Sequence, residues 1–286
     1  MTTPVSLPAR ESIARDVQRA LDEDIGSGDV TADLLPADAR ARARVIAREA
    51  AVLCGSAWFD ECFRQLDPDV RIEWLAADGD RTVAGAPLCR IEGHARALVS
   101  AERSALNFLQ TLSATATATA AYVDAARGTR TAILDTRKTL PGLRFAQKYA
   151  VRCGGGVNHR IGLFDAVLIK ENHIAATGSI HAAVARAREL HPGVLVETEV
   201  ENFAELREAL AAGVDRIMLD EFELYELSQA VAEVGGRVPL EVSGSVSLER
   251  VRAIAETGVD YISVGALTKH IRALDLSMRV ELVGPA

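Results

Sequence analysis

The chain has 286 residues, 49% of them hydrophobic and 25% charged, with a formal net charge of −8. That length holds one large α/β domain or two modest ones, with enough apolar residues for a sizeable core. The acidic balance argues against nucleic acid as the main partner, and no apolar run is long enough to span a bilayer. The opening residues lack the apolar stretch of a secretory signal, so the expected setting is cytoplasmic, with no membrane partner.

In chain order, residues 11–24 carry Ile13, Val17 and Leu21 at helical spacing and run into the turn-rich segment Asp24-Ile25-Gly26-Ser27-Gly28. Residues 42–53 read as strand, 56–66 as a short helix holding Trp58, Phe59 and Phe63, and 70–75 as a half-buried strand. Residues 86–92 form another strand. Residues 97–127 are an Ala- and Thr-rich helical region expected to break near 111–117. Residues 1–128 are expected to form a smaller α+β domain. The four cysteines, Cys54, Cys62, Cys89 and Cys153, show no metal-binding spacing and read as buried thiols.

From residue 129 the pattern changes. Short apolar strands at 132–134, 166–169, 194–199, 216–219, 240–242 and 261–264 alternate with helical stretches at 142–151, 179–190, 203–212, 223–234 and 248–257. Repeated strand–helix units imply a parallel sheet. The expected fold is an α/β barrel, complete or open, over residues 129–267, with a doubly wound sheet as its competitor. The tail, residues 268–286, is expected to return to the first domain.

The strands end in charged or small residues. In turn these are Asp135-Thr136-Arg137-Lys138, Lys170-Glu171-Asn172-His173, Glu197 with Glu199, Asp220-Glu221, Ser243-Gly244-Ser245 and Val264-Gly265-Ala266. Packing does not require this, whereas parallel α/β folds build their sites at the carboxyl ends of strands. For Asp220 alone a helix cap would suffice. Residues 135–173 hold seven Arg and Lys against three acids, a basic island in an acidic chain. Arg144, Lys148 and Arg152, four residues apart, read as one solvated helix face. Arg137, Lys138, Arg160 and Lys170 suit carboxylate and phosphate, with His159 as a further donor. Glu199 and Asp220 suit ribose hydroxyls or Mg²⁺. The small-residue turns 243–245 and 264–266 allow backbone N–H groups to approach a phosphate. Gly154-Gly155-Gly156 reads as a backbone turn rather than a phosphate loop. Together these residues describe a ligand with carboxylates, a phosphorylated sugar and a metal.

Several runs resemble the quinolinate phosphoribosyltransferases: Leu134-Asp-Thr-Arg-Lys-Thr-Leu-Pro-Gly-Leu-Arg, Gly154-Gly-Gly-Val-Asn-His-Arg-Ile-Gly-Leu-Phe-Asp and Val167-Leu-Ile-Lys-Glu-Asn-His. The early Glu23-Asp-Ile-Gly-Ser-Gly-Asp-Val-Thr, the Glu102-Arg-Ser-Ala-Leu-Asn-Phe-Leu-Gln segment and the final Ser263-Val-Gly-Ala-Leu-Thr also fit. The resemblance implies a two-domain subunit with an open α/β barrel. It implies a homodimer in which the first domain of one subunit completes the site of the other, and it leaves further assembly open. It also implies transfer of phosphoribosyl from phosphoribosyl pyrophosphate to quinolinate, with decarboxylation and Mg²⁺. On this pattern Arg137, His159, Arg160 and Lys170 contact quinolinate, and Arg103 reaches the partner's site. Lys138, Lys170, Glu199 and Asp220 face phosphoribosyl pyrophosphate and the metal, and Ser243, Gly244, Ser245 and Gly265 bind the 5′-phosphate. Ser245 departs from the family, which commonly has glycine there. The alternatives are a paralogous phosphoribosyltransferase for another acidic heteroaromatic ring, a Schiff-base aldolase using Lys170, and a non-catalytic binding module.

Overall fold

The computed structural model describes residues 6–283. In chain order the elements are α1 (Arg10–Ile25), β1 (Arg40–Ala47), β2 (Ala51–Val52), α2 (Ser56–Leu66), β3 (Arg71–Trp74), β4 (Arg81–Thr82), β5 (Pro87–His94) and α3 (Ala95–Ala125). Then come β6 (Ala132–Leu134), α4 (Arg144–Cys153), β7 (Ala166–Ile169), α5 (Glu171–Thr177), α6 (Ile180–Leu190), β8 (Leu195–Val200) and α7 (Phe203–Ala212). The last are β9 (Arg216–Asp220), α8 (Leu224–Val234), β10 (Leu240–Ser243), α9 (Leu248–Glu256), β11 (Tyr261–Ser263), α10 (Ala266–Lys269) and β12 (Leu276–Val283). No helix among the described residues is long and apolar enough to cross a membrane.

The chain divides into two compact units. The first comprises Met1–Ala120, Thr139–Gly155 and Thr268–Ala286; the second comprises Ala121–Lys138 and Gly156–Leu267. The stretch Thr139–Gly155, with α4, thus counts with the first unit, although the sequence reading puts it in the barrel.

In the first unit, β12-β1-β5-β3 form an antiparallel sheet. Along β1, Ala41, Ala43, Val45 and Ala47 are buried while arginines 40, 42 and 44 point away, the period-2 alternation of a one-sided sheet. The tail does return here, as β12 pairs with β1 along its whole length. The core gathers Trp58, Phe59 and Phe63 of α2, with Phe59 edge-on to Trp74 at 5.3 Å, against Ile13, Val17 and Leu21 of α1. Trp58 Nε1 keeps a partner, donating to Asp16 at 3.1 Å.

Helix α3 does not break at 111–117. Thr115 and Thr119 donate their hydroxyls back to the carbonyls of Thr111 and Thr115, at 3.3 and 2.8 Å, so the polar side chains are satisfied inside the helix. Gly154 lies so close to α3 that a Cβ would stand 2.4 Å from Ala116 O. This requirement explains one glycine of the triplet and agrees with a structural turn. The solvated-face reading of α4 fails at Lys148, which is 2% exposed; Arg152 is exposed and Arg144 half-buried. Spacing places the three side chains on one face but not that face in solvent. Cys54, Cys62 and Cys89 are buried thiols as expected, and burial pushes all three thiols up, whereas Cys153 at the end of α4 is only half-buried.

The second unit is a six-stranded parallel sheet in the order β6-β11-β10-β9-β8-β7. Read cyclically this is the strand order of a barrel, open where β6 and β7 would meet. Helices α6 and α7 start on side-chain caps, Ser179 and Asn202. The short helix α5, directly after β7, was absent from the sequence reading.

Candidate active site

The carboxyl ends of the strands do bring the candidate residues together. Lys170, one residue past β7, forms an ion pair with Glu199 of β8. Asp220 ends β9 and sits in register with Ser243 of β10. Burial, and then repulsion from Glu199 and Glu221, raises the Asp220 carboxyl above the usual range. Asp220 is not a helix cap, because α8 opens on Glu223. Glu171, Glu199, Glu201 and Glu205 line a cavity of about 280 Å³ beside this pair. The surplus of carboxylates over cations fits a hard divalent ion held by oxygen ligands.

Gly244 faces Asp220 so closely that a Cβ would stand 3.0 Å from its Oδ1. The turn continues into Ser245, which has a positive φ of 25°. Arg250 of α9 lines the same cleft as Ser243, Gly244 and Ser245, a cation that the sequence reading missed. Just past β11, Val264 spends its N–H on Leu134 O at 2.9 Å, so this amide belongs to the sheet and not to a ligand. Gly265 is open toward the site, where an added Cβ would meet Lys138 Cδ at 3.0 Å and Thr136 Oγ1 at 3.6 Å. Thr136 Oγ1 also accepts the Lys138 N–H at 3.1 Å, which shapes this loop. Ala266 opens α10, a single turn.

Ser245→Gly is expected to raise the urea midpoint. It removes a left-handed strain of about 1 kcal/mol, part of which the extra freedom of glycine in the unfolded chain offsets. Equilibrium unfolding checks it; a lower midpoint would mean that the serine is stabilising where it stands.

The third group lies one layer deeper. Asp135, fully buried, accepts the His159 N–H at 2.9 Å and the Asn158 amide at 2.6 Å. His159 Nδ1 accepts the Arg160 N–H at 2.7 Å, so the ring carries its proton on Nε2. Nε2 lies 3.0 Å from Glu197 and 3.5 Å from Glu241, both fully buried. Arg216 donates to Glu241 at 3.1 Å and stacks on Tyr261 at 4.4 Å. Burial, then repulsion from Glu197, pushes Glu241 up to about 7, and burial likewise raises Glu197. His159, Glu197 and Glu241 are close enough to share a metal. A protonated Nε2 has no lone pair to give one, so the cluster is an ionic core. Arg160 is half-buried, and burial and then the neighbouring Arg137 hold its guanidinium below the usual range.

Sequence reasoning missed Arg216 and Glu241 and gave Asp135 no positioning role. Its one available signal was a charge inside an apolar strand, as in Leu240-Glu241-Val242. Arg103 is exposed on α3 in the first unit, and among the described residues no hydrogen bond or ion pair engages it. The local pairing with Glu102 is not formed.

An open parallel barrel whose strand ends carry paired cations, paired carboxylates and a small-residue turn defines an enzyme of anionic, phosphorylated substrates. The family model described as quinolinate phosphoribosyl transferase, N-terminal domain, matches residues 29–113, and its C-terminal-domain counterpart matches residues 115–279. A nicotinate-nucleotide pyrophosphorylase (carboxylating) of Mycobacterium leprae is 44% identical, covering 93% of this chain and 96% of its own. Quinolinate phosphoribosyltransferase (decarboxylating) 1b of Nicotiana tabacum is 41% identical over 93% of this chain and 81% of its own. The solved nicotinate-nucleotide pyrophosphorylase of Francisella tularensis superposes with a TM-score of 0.95 at 48% identity, covering 98% of this chain and 100% of the other. The chain belongs to the quinolinate phosphoribosyltransferase family.

Proposed function

We propose that this enzyme transfers phosphoribosyl from phosphoribosyl pyrophosphate to quinolinate with loss of carbon dioxide, giving nicotinate mononucleotide and pyrophosphate. The observation that carries this reading is the pair of cations Arg137 and Arg160 in a half-buried site, where burial and then the like charge of Arg137 lower the Arg160 guanidinium while Glu197 and Asp165 oppose that shift. Two cations held together this way are stabilised by a ligand with two carboxylates.

Arg137, Arg160 and Lys170 orient the pyridine ring. Its nitrogen attacks C1 of the ribose as pyrophosphate leaves, through an oxocarbenium-like state. Lys138 and Lys170 neutralise the leaving group, and Glu199 and Asp220 face the developing positive charge. The 5′-phosphate takes the turn at Ser243, Gly244 and Ser245 with the Gly265 backbone. The ring nitrogen of the adduct is cationic, so loss of the adjacent carboxylate as carbon dioxide leaves a stabilised ylide, and its carbon takes a proton from solvent to give nicotinate mononucleotide. Glu199 and Asp220 would hold Mg²⁺, which supplies charge neutralisation at the pyrophosphate when bound. The working unit is a homodimer in the cytoplasm, each site completed by Arg103 of the other subunit; its exposed, unengaged guanidinium supports this.

Mixing the protein with quinolinate, phosphoribosyl pyrophosphate and Mg²⁺ tests the reading, with carbon dioxide and nicotinate mononucleotide as the expected products. Absence of both from folded protein would overturn it. Chelating Mg²⁺ is expected to abolish turnover. Glu199→Ala and Asp220→Ala are expected to raise KM for phosphoribosyl pyrophosphate more than for quinolinate; equal loss for both would reassign the acids. A Schiff-base aldolase is less favoured, because Lys170 is engaged by Glu199 rather than held in an apolar pocket. Borohydride trapping with substrate separates the two.

A further inference from the structure

Residues 157–160 are stitched into the open seam of the parallel sheet. On the β6 side, Val157 forms a parallel bridge to Leu134 and donates its N–H to Ile133 O at 2.8 Å. Asp135 takes the His159 N–H and the Asn158 side chain on the same side. On the β7 side, Arg160 Nη1 donates to Ala166 O at 3.3 Å. This segment stands where a closed barrel would have β6 and β7 paired directly.

What anchors it from inside is the ionic core. Glu197 lies two residues before Glu199 and Glu241 two before Ser243, so both project to the same face as the strand-end site, one layer below it. They receive the His159 ring, and Arg216, stacked on Tyr261, holds Glu241 from the other side. A buried ion cluster is a poor source of stability compared with apolar packing of equal volume. Its geometry, however, is directional in a way that apolar packing is not. The His159 ring accepts the Arg160 N–H on Nδ1 and sets Nε2 3.0 Å from Glu197 and 3.5 Å from Glu241, a close charge contact rather than a formed hydrogen bond, so the two carboxylates border the ring that holds the Arg160 backbone.

We infer that Glu197 and Glu241 are positioning residues that, by holding the His159 ring inside the barrel, set the placement of Arg160 and with it the affinity for the acidic substrate. The inference rests on the proposed quinolinate site for its substrate readout. Loss of either carboxylate should therefore be felt by the ligand of Arg160 and not by the phosphorylated sugar at the other strand ends.

Four variants test it: Glu241→Leu, Glu197→Leu, and the shape-retaining Glu241→Gln and Glu197→Gln. Each Leu variant is expected to raise KM for quinolinate roughly tenfold or more while KM for phosphoribosyl pyrophosphate stays within about twofold. Each Gln variant, which keeps the side-chain shape and an oxygen facing Nε2, is expected to recover most of that loss. A purely structural role predicts instead a lower unfolding midpoint with the two KM values moving together or not at all, and that outcome in a folded Leu variant overturns the proposal. A second readout does not depend on turnover. In ¹⁵N-histidine-labelled protein, His159 is expected in the Nε2–H form, with ring resonances that shift in both Gln variants because the neighbouring charge is lost. His159 resonances unchanged in those variants overturn the proposal even if the Leu variants do not fold. If wild type turns over neither substrate, the substrate reading fails, and the His159 resonances still decide the positioning role.

Discussion

Arg103→Ala and Lys138→Ala are each expected to be nearly inactive, and co-refolding the two is expected to restore roughly a quarter of wild-type activity. Arg103 lies on α3 in the first unit, exposed, while Lys138 follows β6 in the second, against Gly265. If Arg103 serves the site of the other subunit, a mixed dimer has one site lacking both groups and one intact site. Random pairing makes about half the dimers mixed, each with one good site of two, which gives the quarter. If Arg103 serves its own subunit, every site in the mixture lacks one group and nothing returns. Mixed dimers shown to form, yet without recovered activity, would rule out the shared site. A local role for Arg103 on its helix would be worth ~1 kcal/mol or less at an exposed position and would not abolish turnover.

Quinolinate is expected to be used and nicotinate hardly at all. Arg160 is half-buried, and burial first and then the neighbouring Arg137 lower its guanidinium, against the opposing pull of Glu197 and Asp165. A substrate with one carboxylate leaves part of that charge unpaired, at a cost of ~2–5 kcal/mol. In kcat/KM this is a discrimination between about 30-fold and a few thousand-fold. Steady-state kinetics with both acids checks it, and comparable turnover of nicotinate would mean that the Arg pair does not read the second carboxylate.

Much of this protein was legible in order along the chain. The parallel strands, the helices between them and the charged strand ends follow from local pattern, because a strand buried on both faces must be apolar and a residue past its end need not be. The four cations and two carboxylates proposed for the site were visible for the same reason. Residue-type arguments failed where a side chain's surroundings are set by distant segments. Lys148 has the spacing of a solvated face yet is 2% exposed, and α3 runs unbroken through its threonines, whose hydroxyls are satisfied by carbonyls one turn back.

Only the tertiary structure decided what closes the seam and what lies beneath the site. The order β6-β11-β10-β9-β8-β7 leaves β6 and β7 at opposite edges, a fact of pairing that no single strand encodes. Asp135, His159, Glu197, Arg216 and Glu241 come from five separate segments, four of them at or within strands and His159 in a loop, and nothing in the local sequence of any one points to the others. Their meeting depends on the inward alternation of parallel strands in a common register, such as Glu197 opposite Arg216, so the chemistry of the layer under the site exists only once the sheet has formed.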